Sequence, residues 1–97
     1  MPKSKIYLVC YDIVEPKRWR KVYKTMKAYG KRLQYSIFKC HLTDKQLAEM
    51  RWKLTKVLDS KEDRLLIAPL HHDIIKEVFV INVIDEWDTE RDRFLLL

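Results

Sequence analysis

The first hydrophobic segment of the chain, Lys5 to Ile13, is apolar on both of its alternating faces until it reaches Asp12. A strand with two apolar faces belongs in the interior of a sheet that is covered on each side. The pattern therefore predicts a central strand, with Asp12 at the point where that strand leaves the core. A carboxylate held this way is a candidate metal ligand, although an Asp at a strand end is more often a turn former or a helix cap.

An amphipathic helix is predicted after this strand, because four apolar residues follow the i, i+3, i+4, i+7 spacing of one helix face. These residues are Trp19, Val22, Tyr23 and Met26. Pro16 suits the first helical position, and Lys or Arg residues occupy the other faces. Gly30 is the only glycine in the sequence, and we expect it to end the helix as a left-handed cap.

The next segment, residues 31–42, is β-rich but contains no Gly, Pro or Asn to mark a turn. It predicts either one bent strand or two short strands that meet near Tyr35 and Ser36. Thr43 and Gln46 match a capping box and start a second helix. The apolar stripe of that helix consists of Leu47, Met50, Leu54, Val57 and Leu58. Two further apolar strands are predicted, over residues 65–70 and 78–84.

This order of elements favours a ferredoxin-like α+β sandwich of βαββαβ type with an additional C-terminal strand. We assign residues 1–97 to one domain, with two helices on one face of an antiparallel sheet. The other sheet face also needs a cover, and a second copy of the chain is the simplest one, which predicts a homodimer. The tail, residues 85–97, ends apolar after an acidic spacer, so we expect it to dock on its own sheet or on another subunit.

Positive charge is concentrated in the first 40 residues, which carry eleven Lys or Arg and two acidic residues, a net charge of +9. Residues 41–97 carry nine basic and twelve acidic residues, a net charge of −3. This asymmetry indicates a surface for a polyanion such as nucleic acid, the alternative being an ordinary solvated surface. No apolar run is long enough for a membrane helix, and the first residues lack the pattern of a cleavable leader, so we expect a cytoplasmic protein.

The two cysteines, Cys10 and Cys40, fall inside apolar strand-like runs. They lack CxxC spacing, so the sequence gives no support for redox or zinc chemistry at either position. We expect both to be buried thiols that behave as small hydrophobic side chains.

Four motifs occur in an order and spacing that resembles the CRISPR-associated protein 2 family, the small nuclease-like partner of the spacer integrase in prokaryotic adaptive immunity. The resemblance covers roughly residues 5–70. The motifs are Tyr11-Asp12-Ile13, a Lys/Arg-rich helix start, Tyr29-Gly30, and Arg32-Leu33-Gln34-Tyr35-Ser36-Ile37-Phe38.

The resemblance implies a ferredoxin-like homodimer in which the two Asp12 side chains face each other and hold one divalent ion, Mg²⁺ or Mn²⁺. Chemistry supports this arrangement, because Mg²⁺ is usually bound through one or two carboxylates plus substrate phosphate. One Asp per protomer is therefore sufficient only in a shared site. The ion would polarise the phosphate and lower the pKa of the attacking water.

The resemblance also implies a set of nucleic-acid contacts at the start of the first helix and in the second-strand motif. These residues are Lys17, Arg18, Arg20, Lys21, Arg32, Ser36 and Phe38. Trp19 stands where many relatives have a basic residue, and we interpret it as a packing residue. Glu15 is not counted as a ligand, and the histidines at positions 41, 71 and 72 are left out of the site because the family motif includes no such base.

Two functions follow from this resemblance. The first is a metal-dependent endonuclease that hydrolyses phosphodiester bonds in single-stranded RNA or double-stranded DNA, with Asp12 as the catalytic and metal-binding residue. The second is a non-catalytic dimeric scaffold that binds prespacer duplex DNA and bridges integrase dimers, with residues 85–97 docking on the partner protomer or on the integrase. An unrelated ferredoxin-like ligand-binding or toxin ribonuclease domain would share the fold but lack the integrase partner.

Overall fold

The computed structural model describes residues 3–79 and residue 81, and it contains a four-stranded antiparallel sheet with two α-helices. The sheet order is β2-β3-β1-β4. The elements are β1 (Lys5–Asp12), α1 (Pro16–Lys27), β2 (Gly30–Gln34), β3 (Ile37–Leu42), α2 (Asp44–Val57) and β4 (Arg64–Leu70), followed by a short 3₁₀ helix, Ile75–Glu77. The predicted ferredoxin-like α+β arrangement is confirmed.

The additional C-terminal strand predicted over residues 78–84 is not seen in the part of the segment that the structure describes. Val78, Phe79 and Ile81 belong to no strand. The other residues of that segment, and the tail over residues 85–97, lie outside the described residues. None of the helices within residues 3–79 and 81 has the length and apolar character needed to cross a membrane.

Strand β1 occupies the centre of the sheet, as its two apolar faces predict. It pairs antiparallel with β3 on one side and with β4 on the other, so that Val9 lies opposite both Phe38 and Ile67. The last pair of β1 and β4 is Asp12 with Arg64. The prediction that Asp12 stands where a central strand leaves the sheet is therefore confirmed.

The ambiguous segment, residues 31–42, forms two strands joined by a tight turn at Tyr35 and Ser36. The register of β2 against β3 shifts between Arg32 and Gln34, which marks a bulge in β2. The turn is held to the neighbouring strand, because the backbone N–H of Tyr11 donates to the Ser36 carbonyl at 3.1 Å. Pairing with the neighbouring strands thus determines that residues 31–42 form two strands, a question that the composition of the segment left open.

The core lies between the helices and the inner face of the sheet. The predicted stripes supply fully buried residues from both helices, namely Val22, Met26, Met50 and Leu54. The sheet contributes Tyr7, Val9, Tyr11, Phe38, Cys40 and Leu42. Burying one side chain of this size stabilises the fold by about 1.5–3 kcal/mol.

Both helix starts are capped by side chains. The Glu15 carboxylate accepts hydrogen bonds from the backbone N–H groups of Lys17 (2.9 Å) and Arg18 (2.8 Å), which lower the pKa of Glu15. The predicted capping box of α2 is present: Thr43 Oγ1 accepts from the Gln46 N–H at 3.2 Å, and Gln46 Oε1 accepts from the Thr43 N–H at 2.9 Å. Glu15 is thus a cap, in agreement with its exclusion as a ligand.

The prediction that Gly30 ends α1 as a left-handed cap is wrong. Helix α1 ends at Lys27 with Ala28 as its C-cap, and Gly30 lies in β2 without a left-handed backbone. A Cβ atom at this position would come closer than 3.0 Å to the Lys39 carbonyl oxygen and to Cys40 Sγ. Glycine is required here because β2 approaches β3 closely.

We predict that Gly30→Ala destabilises the protein by about 1–3 kcal/mol, because the new methyl group forces the two strands apart. Urea denaturation of the variant and the wild type would measure this change in the free energy of unfolding. Lys31→Ala is the control, because Lys31 is exposed on the same strand. Equal stability of Gly30→Ala and the wild type would contradict the close approach described here.

Candidate functional site

Asp12 is exposed at the end of β1. Successive side chains of a strand point to opposite faces, and Tyr11 is buried on the helix-covered face, so Asp12 points to the face that the helices leave open. Within residues 3–79 and 81, no group of three His, Cys, Asp or Glu side chains close enough to hold an ion includes Asp12. In the described part of one chain, Asp12 therefore offers a carboxylate outside any such group, which suits Mg²⁺ only if further ligands come from elsewhere.

The open face of the sheet is apolar next to Asp12. Leu8 and Cys10 of β1 are partly exposed, and they lie opposite Ala68 and Leu66 of β4. Leu66 is 57% exposed. Cys40 is buried on the helix side, and burial raises its pKa to about 12. This confirms the prediction of a buried thiol for Cys40, whereas Cys10 is only partly covered in one chain.

The loop after Asp12 is fixed by Asp63, whose side chain has no exposed surface. Asp63 Oδ2 accepts from Arg18 Nε at 2.8 Å and from the Asp59 N–H at 2.9 Å, while Oδ1 accepts from the Val14 N–H at 3.2 Å. The hydrogen bond from Arg18 is the main reason that the pKa of Asp63 is lowered. Asp63 thus joins the loop after β1, the start of α1 and the loop before β4.

Arg18 was predicted as a nucleic-acid contact, but in this structure two carboxylates engage it. Besides Asp63, its guanidinium donates to Glu62 Oε2 at 3.0 Å. These interactions raise the pKa of Arg18. Arg18 therefore positions the loop next to Asp12, and its charge is already balanced by acidic partners. The sequence showed only a charged loop at residues 59–63, and nothing in it indicated which basic side chain would form ion pairs with that loop.

We predict that the Asp63 network makes folding stability depend on acid pH. The folded-state pKa of Asp63 is lower than its unfolded value, so its stabilisation is present above the ordinary aspartate pKa of about 3.9 and is lost as pH falls through the lowered value. Asp63→Asn should be less stable than the wild type at pH 7 and should lose less stability on acidification.

Thermal denaturation of both proteins between neutral pH and pH 2 would measure this difference. Asp44→Asn serves as the control, because Asp44 is exposed in the first turn of α2, whereas Asp59 and Asp63 follow the end of that helix. A wild type and an Asp63→Asn variant with parallel pH profiles would show that the Arg18–Asp63 pair does not link protonation to folding.

Three of the predicted basic contacts, Lys17, Arg20 and Lys21, are exposed on α1. Arg32 is partly buried, and its guanidinium carbon lies 5.0 Å from the centroid of the Tyr23 ring. This cation–π contact orients Arg32 along the outside of β2 and leaves its charge available. The structure therefore offers four cations near the start and the flank of α1, on the helix side of the sheet from which Asp12 points away.

Ser36 and Phe38 both make internal contacts. Trp19 Nε1 donates to Ser36 Oγ at 3.2 Å, which ties the β2–β3 turn to α1. Phe38 has no exposed surface and packs against Tyr11 and Tyr23, with ring centroids 6.2 and 6.0 Å apart. In this position Phe38 supports the strand from the core side and has no surface to offer a ligand.

Tyr11 contributes a buried hydroxyl beside the candidate site. Its oxygen has no hydrogen-bond partner among residues 3–79 and 81, and burial raises its pKa to about 12, an effect that the nearby charge of Arg32 opposes. A neutral phenol is therefore the only form present near neutral pH. Tyr11 lies next to Asp12 in sequence but on the opposite face of the sheet, so we give it no role in ion binding.

His71 and His72 form an exposed cluster with Asp73 after β4. His71 Nδ1 lies 3.2 Å from Asp73 Oδ2, and His72 Nε2 lies 2.9 Å from Asp73 Oδ1. All three side chains are more than half exposed. The structure thus places these two histidines in an exposed turn, and their exclusion from the site stays a prediction.

Comparison with known proteins identifies the relatives of this chain. A family model described as CRISPR associated protein Cas2 matches residues 5–78. The chain is 43% identical over 72 residues to the CRISPR-associated endoribonuclease Cas2 2 of Thermodesulfovibrio yellowstonii, covering 74% of this chain and 79% of that protein.

Solved structures show the same likeness. The crystal structure of Streptococcus pyogenes Cas2 at pH 6.5 is similar with a TM-score of 0.73 and 30% identity, covering 79% of this chain and 99% of that one. A chain of a partial Cas6-RT-Cas1–Cas2 complex is similar with a TM-score of 0.72 and 27% identity, covering 80% of this chain and 85% of that one.

Proposed function

The chain belongs to the CRISPR associated protein Cas2 family, and on that premise we propose that it is a divalent-metal-dependent endonuclease acting in CRISPR spacer acquisition. Its proposed reaction is hydrolysis of phosphodiester bonds in single-stranded RNA or double-stranded DNA. The observation that carries this proposal is the position of Asp12, an exposed carboxylate at the end of the central strand on the open face of the sheet. The endoribonuclease name of a relative supports it.

The proposed enzyme is a homodimer formed through the open face. Leu8, Cys10 and Leu66 leave apolar surface exposed there, and a second copy of the same face would cover it. Two copies related by a two-fold axis present the same patch to each other, and only residues beside the axis meet their own copies. In the proposed dimer the axis passes beside Asp12, so that the two carboxylates approach one another. A solution mass of twice that of the chain would support this assembly.

The residues of this chain would divide the work as follows. Asp12 of each copy would hold the ion, and Mg²⁺ or Mn²⁺ bound there would polarise the scissile phosphate and supply a nucleophilic hydroxide. Lys17, Arg20, Lys21 and Arg32 would hold the phosphates of the strand. Arg18, through Asp63, would keep the loop after Asp12 in place.

A cleavage assay tests this proposal directly. Single-stranded RNA and double-stranded DNA are incubated with the purified protein and Mg²⁺ or Mn²⁺, with and without a chelator. Cleavage that requires the ion would support the enzyme. Ion-independent cleavage would overturn the metal-dependent mechanism, and the Asp12 variant described in the Discussion separates a true site from a contaminating nuclease.

The alternative function is a non-catalytic dimeric scaffold that binds prespacer duplex DNA and bridges dimers of the CRISPR spacer integrase. The observation that favours it is the likeness to a chain of a Cas6-RT-Cas1–Cas2 complex. A scaffold needs the basic surface of α1 but does not need Asp12. Duplex binding without cleavage under every metal condition would leave this alternative as the function.

A further inference from the structure

Three aromatic rings, Tyr23, Trp19 and Tyr35, form a continuous stack that we call the aromatic row. The ring centroids of Tyr23 and Trp19 are 5.2 Å apart with an interplanar angle of 7°. Those of Trp19 and Tyr35 are 4.7 Å apart with an angle of 19°. Trp19 is therefore stacked with both tyrosines, and Tyr35, the most exposed of the three, is the outer member of the row.

The aromatic row is anchored at its inner end and in its middle. Tyr23 packs edge-on against the fully buried Phe38. Trp19 donates from Nε1 to Ser36 Oγ at 3.2 Å, and the carbonyl of Ser36 accepts from β1. Because these contacts hold both the helix and the turn, the orientation of the Tyr35 ring is set before any ligand arrives.

Tyr35 is 68% exposed although one ring is stacked against it. Packing alone does not explain an aromatic residue at the tip of a turn, where its ring remains largely in contact with water. An aromatic ring that is fixed on one side and open on the other is the arrangement by which single-strand-binding proteins stack nucleobases.

The surroundings of Tyr35 match a nucleobase with its phosphate. A shallow cavity of about 350 Å³ is lined by Ile13, Val14, Pro16, Trp19, Arg20 and Tyr35. Five of its six lining residues are apolar or aromatic, and the sixth is the exposed cation Arg20. A base buries its flat apolar face and leaves its negatively charged phosphate at the rim, where a guanidinium can pair with it.

We propose that Tyr35 is the outer plate of a base-stacking site that takes one unpaired nucleobase of a bound strand, with Arg20 at the adjacent phosphate. Stacking is tolerant of sequence, because every base has a flat π face. The site would therefore favour single-stranded segments over paired ones without selecting a particular base. This inference rests on the proposed nucleic-acid function and adds the class of segment that the surface prefers.

The test measures binding of a short single-stranded oligonucleotide that carries 2-aminopurine, a base whose fluorescence falls when it stacks. Chelator is present throughout, so that no cleavage occurs. The proteins are the wild type, Tyr35→Ala and Tyr35→Phe. Trp52→Ala is the matched control, because Trp52 is 59% exposed on α2 and lies outside the aromatic row.

We expect Tyr35→Ala to bind about tenfold more weakly than the wild type and to quench 2-aminopurine less. Tyr35→Phe keeps the ring and should behave as the wild type, and Trp52→Ala should change neither value. An oligonucleotide in which every base is replaced by an abasic sugar should bind the wild type and Tyr35→Ala equally. Circular dichroism of each variant shows that the fold is retained.

Two results would overturn the inference in distinguishable ways. Equal affinity and equal quenching for the wild type and Tyr35→Ala would exclude the stacking site while leaving the nucleic-acid function in place. If the wild type binds none of the normal oligonucleotide, the abasic oligonucleotide and duplex DNA, the proposed function itself is excluded, and the stacking site with it.

Discussion

Asp12→Asn is expected to lower metal-dependent phosphodiester cleavage on the order of a hundredfold or more. The substitution removes the carboxylate charge that would hold the metal ion, and with it the stabilisation that the ion would give to the negative charge developing on the phosphate. The amide has nearly the same shape as the carboxylate, so the end of β1 and its pairing with Arg64 are kept. Nucleic-acid binding should not weaken, since the change removes a negative charge near a polyanion. Initial rates on single-stranded RNA and double-stranded DNA, with anisotropy titrations under chelator, measure both quantities.

Asp44→Asn is the matched control for this experiment. Asp44 is also an exposed aspartate, but it lies in the first turn of α2. The Asp44→Asn protein should cleave nucleic acid as fast as the wild type. Equal cleavage by the wild type and Asp12→Asn would exclude Asp12 as the catalytic residue. No cleavage by either protein, with duplex binding intact, would favour the scaffold.

Nucleic-acid affinity is expected to fall steeply with salt, which is the second large effect. Lys17, Arg20 and Lys21 are exposed on each chain, so a dimer would offer six such cations to the phosphates. Each neutralised phosphate releases counterions, and six of them predict a drop of about a thousandfold in affinity between 50 and 200 mM salt. Anisotropy titrations of an unrelated-sequence duplex and single strand at several salt concentrations would measure the slope.

A variant locates this salt dependence on α1. Lys21→Ala should weaken binding to all sequences and reduce the slope of log affinity against log salt by about one for each phosphate that Lys21 neutralises in the wild type. Lys45→Ala, on the first turn of α2, is the exposed control and should leave the slope unchanged. An affinity that does not change from 50 to 200 mM salt would refute the electrostatic interface, which both the endonuclease and the scaffold require.

Periodicity predicted the elements because it is a property of neighbouring residues. The two apolar faces of residues 5–13 are sufficient to place β1 between two other strands. The stripe on α1 and the capping box of Thr43 and Gln46 depend on residues three or four apart, and the structure confirms both. The position of Asp12 at the end of β1 follows from the same local pattern.

Contacts between distant segments could not be predicted in this way. Arg18 and Asp63 are 45 residues apart in sequence. Each is flanked by other charged residues, so the sequence alone does not indicate which of them form the ion pair. Gly30 lies at a helix end where a cap is common, yet the reason for a glycine is a backbone 9 residues further along the chain. Only the pairing of β2 with β3 shows that there is no space for a side chain.

The candidate site shows the same division. The sequence alone determined the strand that carries Asp12, the basic character of α1 and the motifs that place the chain in its family. Only the tertiary structure decided that Arg18 is held by acidic partners, that Phe38 is buried, and that Trp19 and Tyr35 stack. The physical reason is that a local pattern specifies which face of an element is apolar, whereas packing selects the partner that each face meets.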